Sequence, residues 1–122
     1  MEFISNTPIY LQIADYVCDK VLSTEWKPGE RVPSVRELGA DLQVNPNTVV
    51  RTFDYLQNEN IIFYKRGIGY FVSEEAICNI VKLNRADFFD HQLPKVFKTM
   101  IALEISFDEI QSYYNQFVDN NQ

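Results

Sequence analysis

Two helix-start signals stand eleven residues apart, and that spacing constrains this chain more than any other feature. Ser34-Val35-Arg36-Glu37 is a capping box: a Ser hydroxyl accepts from the backbone N–H three residues on, and the Glu carboxylate reaches back. Asn45-Pro46 is a second start, with Asn as N-cap and Pro at the first helical position, where its missing N–H costs nothing. A helix begun at Ser34 must therefore stop within about nine residues and turn across Gln43-Val44-Asn45 into another.

The flanks extend this unit. Upstream, Tyr10, Ile13, Val17 and Val21 recur at helical spacing after Thr7-Pro8, which supply a cap and a first-turn proline, and Trp26-Lys27-Pro28-Gly29 makes a turn. Val35, Leu38 and Leu42 form the inner face of the second helix. In the third, Pro46 to about Glu59, Val49, Phe53 and Leu56 face inward, and Asn60 stands where a left-handed terminating residue belongs. Ile61–Tyr64 and Tyr70–Val72 read as strands around Lys65-Arg66-Gly67-Ile68-Gly69, a hairpin with a basic tip. The expected fold is mainly α with one small β-hairpin: a winged helix-turn-helix domain over residues 1–73, then a helical dimerisation segment over 74–122.

In that architecture the third helix enters the major groove of duplex DNA and its N-terminal residues reach base edges. Asn47, Thr48, Arg51 and Tyr55 are expected on its outer face. Asn can read adenine bidentately, Thr can touch a base or the thymine methyl, and Arg can read guanine or pair with phosphate. Ser34, Arg36 and Asn45 lie at helix starts, whose free N–H groups attract phosphate. Lys65, Arg66 and Gly67 form a thin wing tip suited to the minor groove. Capping is a sufficient reason for Ser34 and Asn45, and Arg36 could simply pair with Glu37 or Asp41. The joint placement of these residues is what points to DNA.

Net charge runs against that reading, because it is −6. Its distribution softens the objection: residues 31–73 hold five Lys/Arg and four Asp/Glu, while 74–122 hold four against eight.

From Ser73-Glu74-Glu75-Ala76 the helical pattern returns, with Ile77, Ile80 and Val81. A further stretch over roughly 86–103 is interrupted by Pro94, which should kink or restart it. Ser106-Phe107-Asp108-Glu109 is a second capping box, opening a last helix with Ile110, Tyr113, Tyr114 and Phe117. Residues 74–122 are too few to enclose an ordinary ligand pocket within one subunit. Short, apolar helices of this kind are stabilised against a partner, so a two-fold homodimer built largely from Phe88, Phe89, Leu93, Phe97, Met100 and Ile101 is expected. Each subunit then adds its few cations at half-sites about 34 Å apart. A small-molecule effector, where one acts, is expected at that interface.

Other functions find little support. Cys18 and Cys78 are far apart and His91 is the single histidine, so no metal site and no cofactor is expected, and both thiols read as buried. No motif places paired carboxylates or a phosphate loop, so no enzyme is expected. Met1–Thr7 lacks a basic start and an apolar run, and no apolar stretch approaches a membrane span; the expected location is the cytoplasm. A winged-helix module that binds protein is the main alternative, but it has no need of Asn47, Thr48 and Arg51 turned outward beside a basic wing.

Four segments taken in order resemble the GntR family of bacterial transcription regulators: Pro8–Ile13, Pro28–Leu38, Val44–Arg51 and Arg66–Val72. Asn45-Pro46-Asn47-Thr48-Val49 and the short C-terminal part resemble its YtrA subfamily. The resemblance implies a sequence-specific regulator, a repressor on an inverted-repeat operator. It implies DNA contacts by Arg36, by Asn45, Asn47 and Thr48, and by the wing around Arg66-Gly67. Many members carry Arg where Pro46 and Val50 stand here, so the operator cannot be borrowed from other branches. Gly39 and Asn60 replace a more usual Ala and Gly, a structural difference.

Overall fold

A computed structural model describes residues 7–122; the leader expectation, which rests on Met1–Thr7, falls almost wholly outside them. The order is α1 (Ile9–Leu22), α2 (Val35–Leu42), α3 (Pro46–Asn58), β1 (Ile62–Lys65), β2 (Gly69–Val72), α4 (Ala76–Asp87), a π-helical turn (Phe88–Gln92), α5 (Leu93–Ala102) and α6 (Phe107–Asn120). Two compact units divide after Leu83.

The first unit is built on one apolar cluster. Ile13, Val17 and Val21 from α1, Leu38 and Leu42 from α2, and Val49, Phe53 and Leu56 from α3 are all buried in it. These are the inward residues that helical spacing selects. Three helix starts differ in how they are held. Ser34 Oγ accepts from Glu37 N–H at 3.1 Å and Glu37 Oε1 accepts from Ser34 N–H at 3.1 Å, a complete capping box. Those bonds, with Arg31's charge adding, hold the Glu37 carboxyl below the usual carboxylate range. Asn45 Oδ1 caps α3 by accepting from Asn47 N–H at 2.8 Å. At α1 the cap residue is Pro8 rather than Thr7, and no side chain bonds the first turn; the Thr7 carbonyl instead accepts from Gln12 Nε2 at 2.8 Å.

The turn from α2 to α3 needs a left-handed residue, and Gln43 supplies it at φ 56°. Gly39 is required on other grounds. A Cβ there would stand 3.2 Å from the Val44 carbonyl oxygen, so the chain turns tightly over it. Asn60 ends α3 at φ 58°, as its position predicts.

The hairpin pairs Ile62 with Val72, Phe63 with Phe71, Tyr64 with Tyr70 and Lys65 with Gly69. Alternation sends Ile62 and Val72 into the core. A third strip, not anticipated from sequence, runs along β2: Gly29 N–H donates to Val72 O, Val72 N–H to Glu30 O and Val32 N–H to Tyr70 O, at 2.8–2.9 Å. The segment after Pro28 therefore clamps the wing to the helices.

The first unit ends later than residue 73 because Ala76 and Ile80 of α4 are fully buried in its core and Leu83 packs on it. Cys18 is half-buried; burial, with Asp15 and Asp19 adding, pushes its thiol up to about 12. Cys78 is exposed on α4, against the expectation of two buried thiols.

The second unit, Asn84–Gln122, holds the end of α4 and everything after it. Helix restarts at Pro94, one of the two outcomes expected there: α5 opens at Leu93 with Pro94 in its first turn. Proline has no N–H and its ring crowds the carbonyl four residues back. Here the turn just before it widens into a five-residue π-helical turn, Phe88–Gln92, which separates α4 from α5. Ser106 Oγ caps α6 by accepting from Glu109 N–H at 3.2 Å, without the return bond that would complete a box. Within this unit Met100 is buried, yet α6 buries none of its residues. No helix among the described residues is long and apolar enough to cross a membrane.

Candidate nucleic-acid interface

The outer face of α3 follows from its inner face. With Val49, Phe53 and Leu56 buried, the helical repeat turns Asn47, Val50, Arg51 and Asp54 to solvent and leaves Thr48 half-buried. Tyr55 departs from the sequence expectation. It packs on the core and meets the Tyr10 ring edge-on at 6.4 Å, so it belongs to the seam with α1.

Asn47, Thr48 and Arg51 line a shallow cavity of about 320 Å³ with Pro8, Ile9 and Tyr10 at the start of α1. Arg51 does not swing freely over it: its guanidinium carbon lies 4.0 Å from the Tyr10 ring centroid. Thr52 fixes the same seam from below. It is fully buried, and its hydroxyl donates to Tyr10 O at 2.7 Å, with Thr48 O at 3.1 Å as the alternative acceptor. Periodicity could not flag Thr52, since a Thr next to the apolar stripe reads as surface.

A second concavity, about 350 Å³, joins the start of α2 to the wing. It is lined by Arg31, Val32, Ser34, Val35, Tyr64, Gly67, Ile68, Gly69 and Tyr70. Gly67 sits at the wing apex at φ 77°, a backbone that favours glycine. Gly69 also has positive φ, and a Cβ on it would stand 3.1 Å from Arg31 Nε. Arg31 therefore lies along the wing, a cation that sequence reasoning left out of the site. Lys65 Nζ sits 4.7 Å from the Phe71 ring centroid on the outer wing face, and Arg66 is exposed at the turn. Arg36 is exposed and makes no ion pair among the described residues; Glu37 is engaged in the cap and Asp41 pairs with nothing there.

Ser34 and Asn45 retain donors while capping. Each gives an oxygen to the helix start and keeps an O–H or N–H₂ for a ligand. The exposed groups are thus amides, a hydroxyl and guanidinium or ammonium cations on a convex helix face and a thin hairpin. This set hydrogen-bonds base edges and neutralises phosphate; it holds no nucleophile activated by a base.

Three helices on one core, the third presented outward and followed by an antiparallel hairpin, define a winged helix-turn-helix protein. The chain belongs to the gntR family of bacterial regulatory proteins, whose model matches residues 9–72. It is 43% identical over 75 residues to the HTH-type transcriptional regulator YhcF of Bacillus subtilis (strain 168), covering 62% of each chain. It is 42% identical over 78 residues to the HTH-type transcriptional repressor YtrA of the same organism, covering 64% of this chain and 60% of that one. The match thus spans about three fifths of these curated relatives. A crystal structure of a GntR-family transcriptional regulator from Bacteroides thetaiotaomicron superposes with TM-score 0.83 at 38% identity, over 94% of this chain and 100% of that one.

Proposed function

We propose that this chain is a sequence-specific duplex-DNA-binding transcription regulator, a repressor that grips an inverted repeat as a homodimer. The observation that carries the reading is the polarity of α3: Val49, Phe53 and Leu56 seal its underside while Asn47, Thr48 and Arg51 stand on its outer side. A helix so mounted fits the major groove, where Asn47 can bond adenine and Thr48 a base edge or methyl. Ser34, Arg36 and Asn45 then serve the flanking phosphates, and Lys65, Arg66 and Gly67 meet the adjacent minor groove. The naming of the YtrA relative as a repressor favours the sign of regulation.

The second unit supplies the pairing. Phe88, Phe89, Phe97 and Ile101 are exposed there, Leu93 is half-buried, and Met100 is already buried. Leu103, Phe107, Tyr113, Tyr114 and Phe117, each about two-thirds exposed, enlarge the same unit's apolar surface. That much uncovered aromatic surface is costly in water and marks an interface. A second copy is the partner of choice, because each half of an inverted repeat needs one reading helix. Any small-molecule effector would be taken between copies, where two such faces can enclose it.

Asn47→Ala and Arg36→Ala in the full chain test the reading. Each is expected to weaken binding to a selected operator duplex by about tenfold or more per half-site for a bidentate base contact and less for a phosphate contact, with the sedimentation coefficient unchanged. Equal binding of wild type and both variants to every duplex would contradict it.

A further inference from the structure

We propose that Tyr10 is a positioning residue for DNA binding: it holds the Arg51 guanidinium at the edge of the reading face, aimed at a backbone phosphate beside the bases that Asn47 contacts. The inference rests on the DNA-reading role of α3 given above.

Three contacts from different directions fix Tyr10. Its carbonyl accepts from the buried Thr52 hydroxyl at 2.7 Å, which ties α1 to α3. Its ring and that of Tyr55 form a T-shaped pair, 6.4 Å between centroids with an interplanar angle of 77°. Its ring carries the Arg51 guanidinium carbon 4.0 Å from the centroid. Tyr10 is thus a fixed platform beneath the Arg51 guanidinium. An exposed arginine otherwise samples many rotamers, and ordering it on binding costs affinity.

Placement decides what the arginine meets. Arg51 stands one helical turn after Asn47, on the same side of α3, and both line the cavity at the start of α1. The stack draws the guanidinium sideways toward α1, off the tip of α3 where Asn47 and Thr48 stand. The groove floor faces that tip, while the groove walls are sugar-phosphate backbone. A guanidinium set to the side meets a wall, and stacking on a ring leaves its N–H edge free for a phosphate.

Two readouts separate this from a merely structural role. In the free full-length protein, the Arg51 Nε–H proton is expected to be shifted upfield by the Tyr10 ring current, to keep that shift in Tyr10→Phe and to lose it in Tyr10→Leu. With a selected operator duplex, Tyr10→Leu is expected to lower affinity by about twofold to tenfold per subunit, the cost of ordering one long side chain. Its salt dependence should stay as in wild type, because the phosphate contact still forms. Arg51→Ala should weaken all duplexes alike and reduce the slope of log affinity against log salt by about 0.9 per subunit. In the Arg51→Ala background, Tyr10→Leu should cost nothing further, and Tyr10→Phe should match wild type.

Absence of the ring-current shift in wild type overturns the proposal without touching the function of α3. An equal cost of Tyr10→Leu with and without Arg51 also overturns it, since that is damage to the fold. A change of preferred base in Arg51→Ala overturns the assignment to phosphate. If the shift is present but wild type prefers no duplex over another, the reading of α3 falls, and the role of Tyr10 with it.

Discussion

In the proposed dimer, replacing Ile101 by Glu is expected to convert a pair of 14.3 kDa chains into single ones and to abolish tight operator binding. Ile101 is 79% exposed, the most exposed large apolar residue among the described residues, and it lies on α5 with Phe97, also exposed, just before the exposed Leu103. Burying such a side chain contributes on the order of 2 kcal/mol. A two-fold interface counts every change twice, and a buried unpaired carboxylate costs several kcal/mol more. The dimer dissociation constant should therefore rise by at least about a hundredfold, since each 1.4 kcal/mol is a factor of ten. Sedimentation velocity reads this directly. The variant should keep its helical circular dichroism, because the Ile101 side chain is largely exposed in its own chain. A dimer unchanged in strength would move the interface to another face. Phe117→Glu on α6 then asks whether the last helix carries it, since Phe117 is 67% exposed.

The second large effect concerns the first unit. Phe53→Ala should lower stability by about 3–5 kcal/mol, a substantial fraction of the roughly 5–15 kcal/mol typical of a whole domain. Phe53 is 1% exposed, and its ring meets that of Tyr70 edge-on with centroids 4.8 Å apart. One side chain thus seals the underside of α3 and braces the wing. Its loss leaves a cavity that β2, clamped by the Gly29–Val32 strip, cannot collapse to fill. Urea unfolding of the full chain should show the midpoint fall with the slope unchanged. A loss below about 1 kcal/mol would mean that the core closes over the gap, and that the wing is not braced as described.

What the sequence made legible was whatever local chemistry decides alone. Ser34 with Glu37, and Asn45 with Pro46, specify helix starts through bonds within four residues, and both formed as read. Ile13, Leu38, Val49 and Phe53 followed from periodicity. Other features depend on partners distant in the chain. Thr52 is buried because Tyr10 offers a carbonyl 42 residues away. Arg31 joins the wing because Gly69 leaves space beside it. Tyr55 turns inward because α1 passes beside it, and periodicity in α3 cannot reveal that. Pro94 restarts a helix as read, but the π-helical turn that precedes it is an adjustment that composition does not announce. In the second unit the sequence identified the apolar residues. It could not separate Met100, buried within its own chain, from neighbours that stay exposed there.

In the proposed function one polar helix face, presented twice, reads duplex DNA. Selection of bound sites from random duplexes by the full-length protein tests this most directly. The expected product is an inverted repeat with half-site centres about 34 Å apart, bound with an affinity that falls steeply with salt. Sites lacking two-fold symmetry, or no enrichment over the starting pool at any salt concentration, would contradict the account.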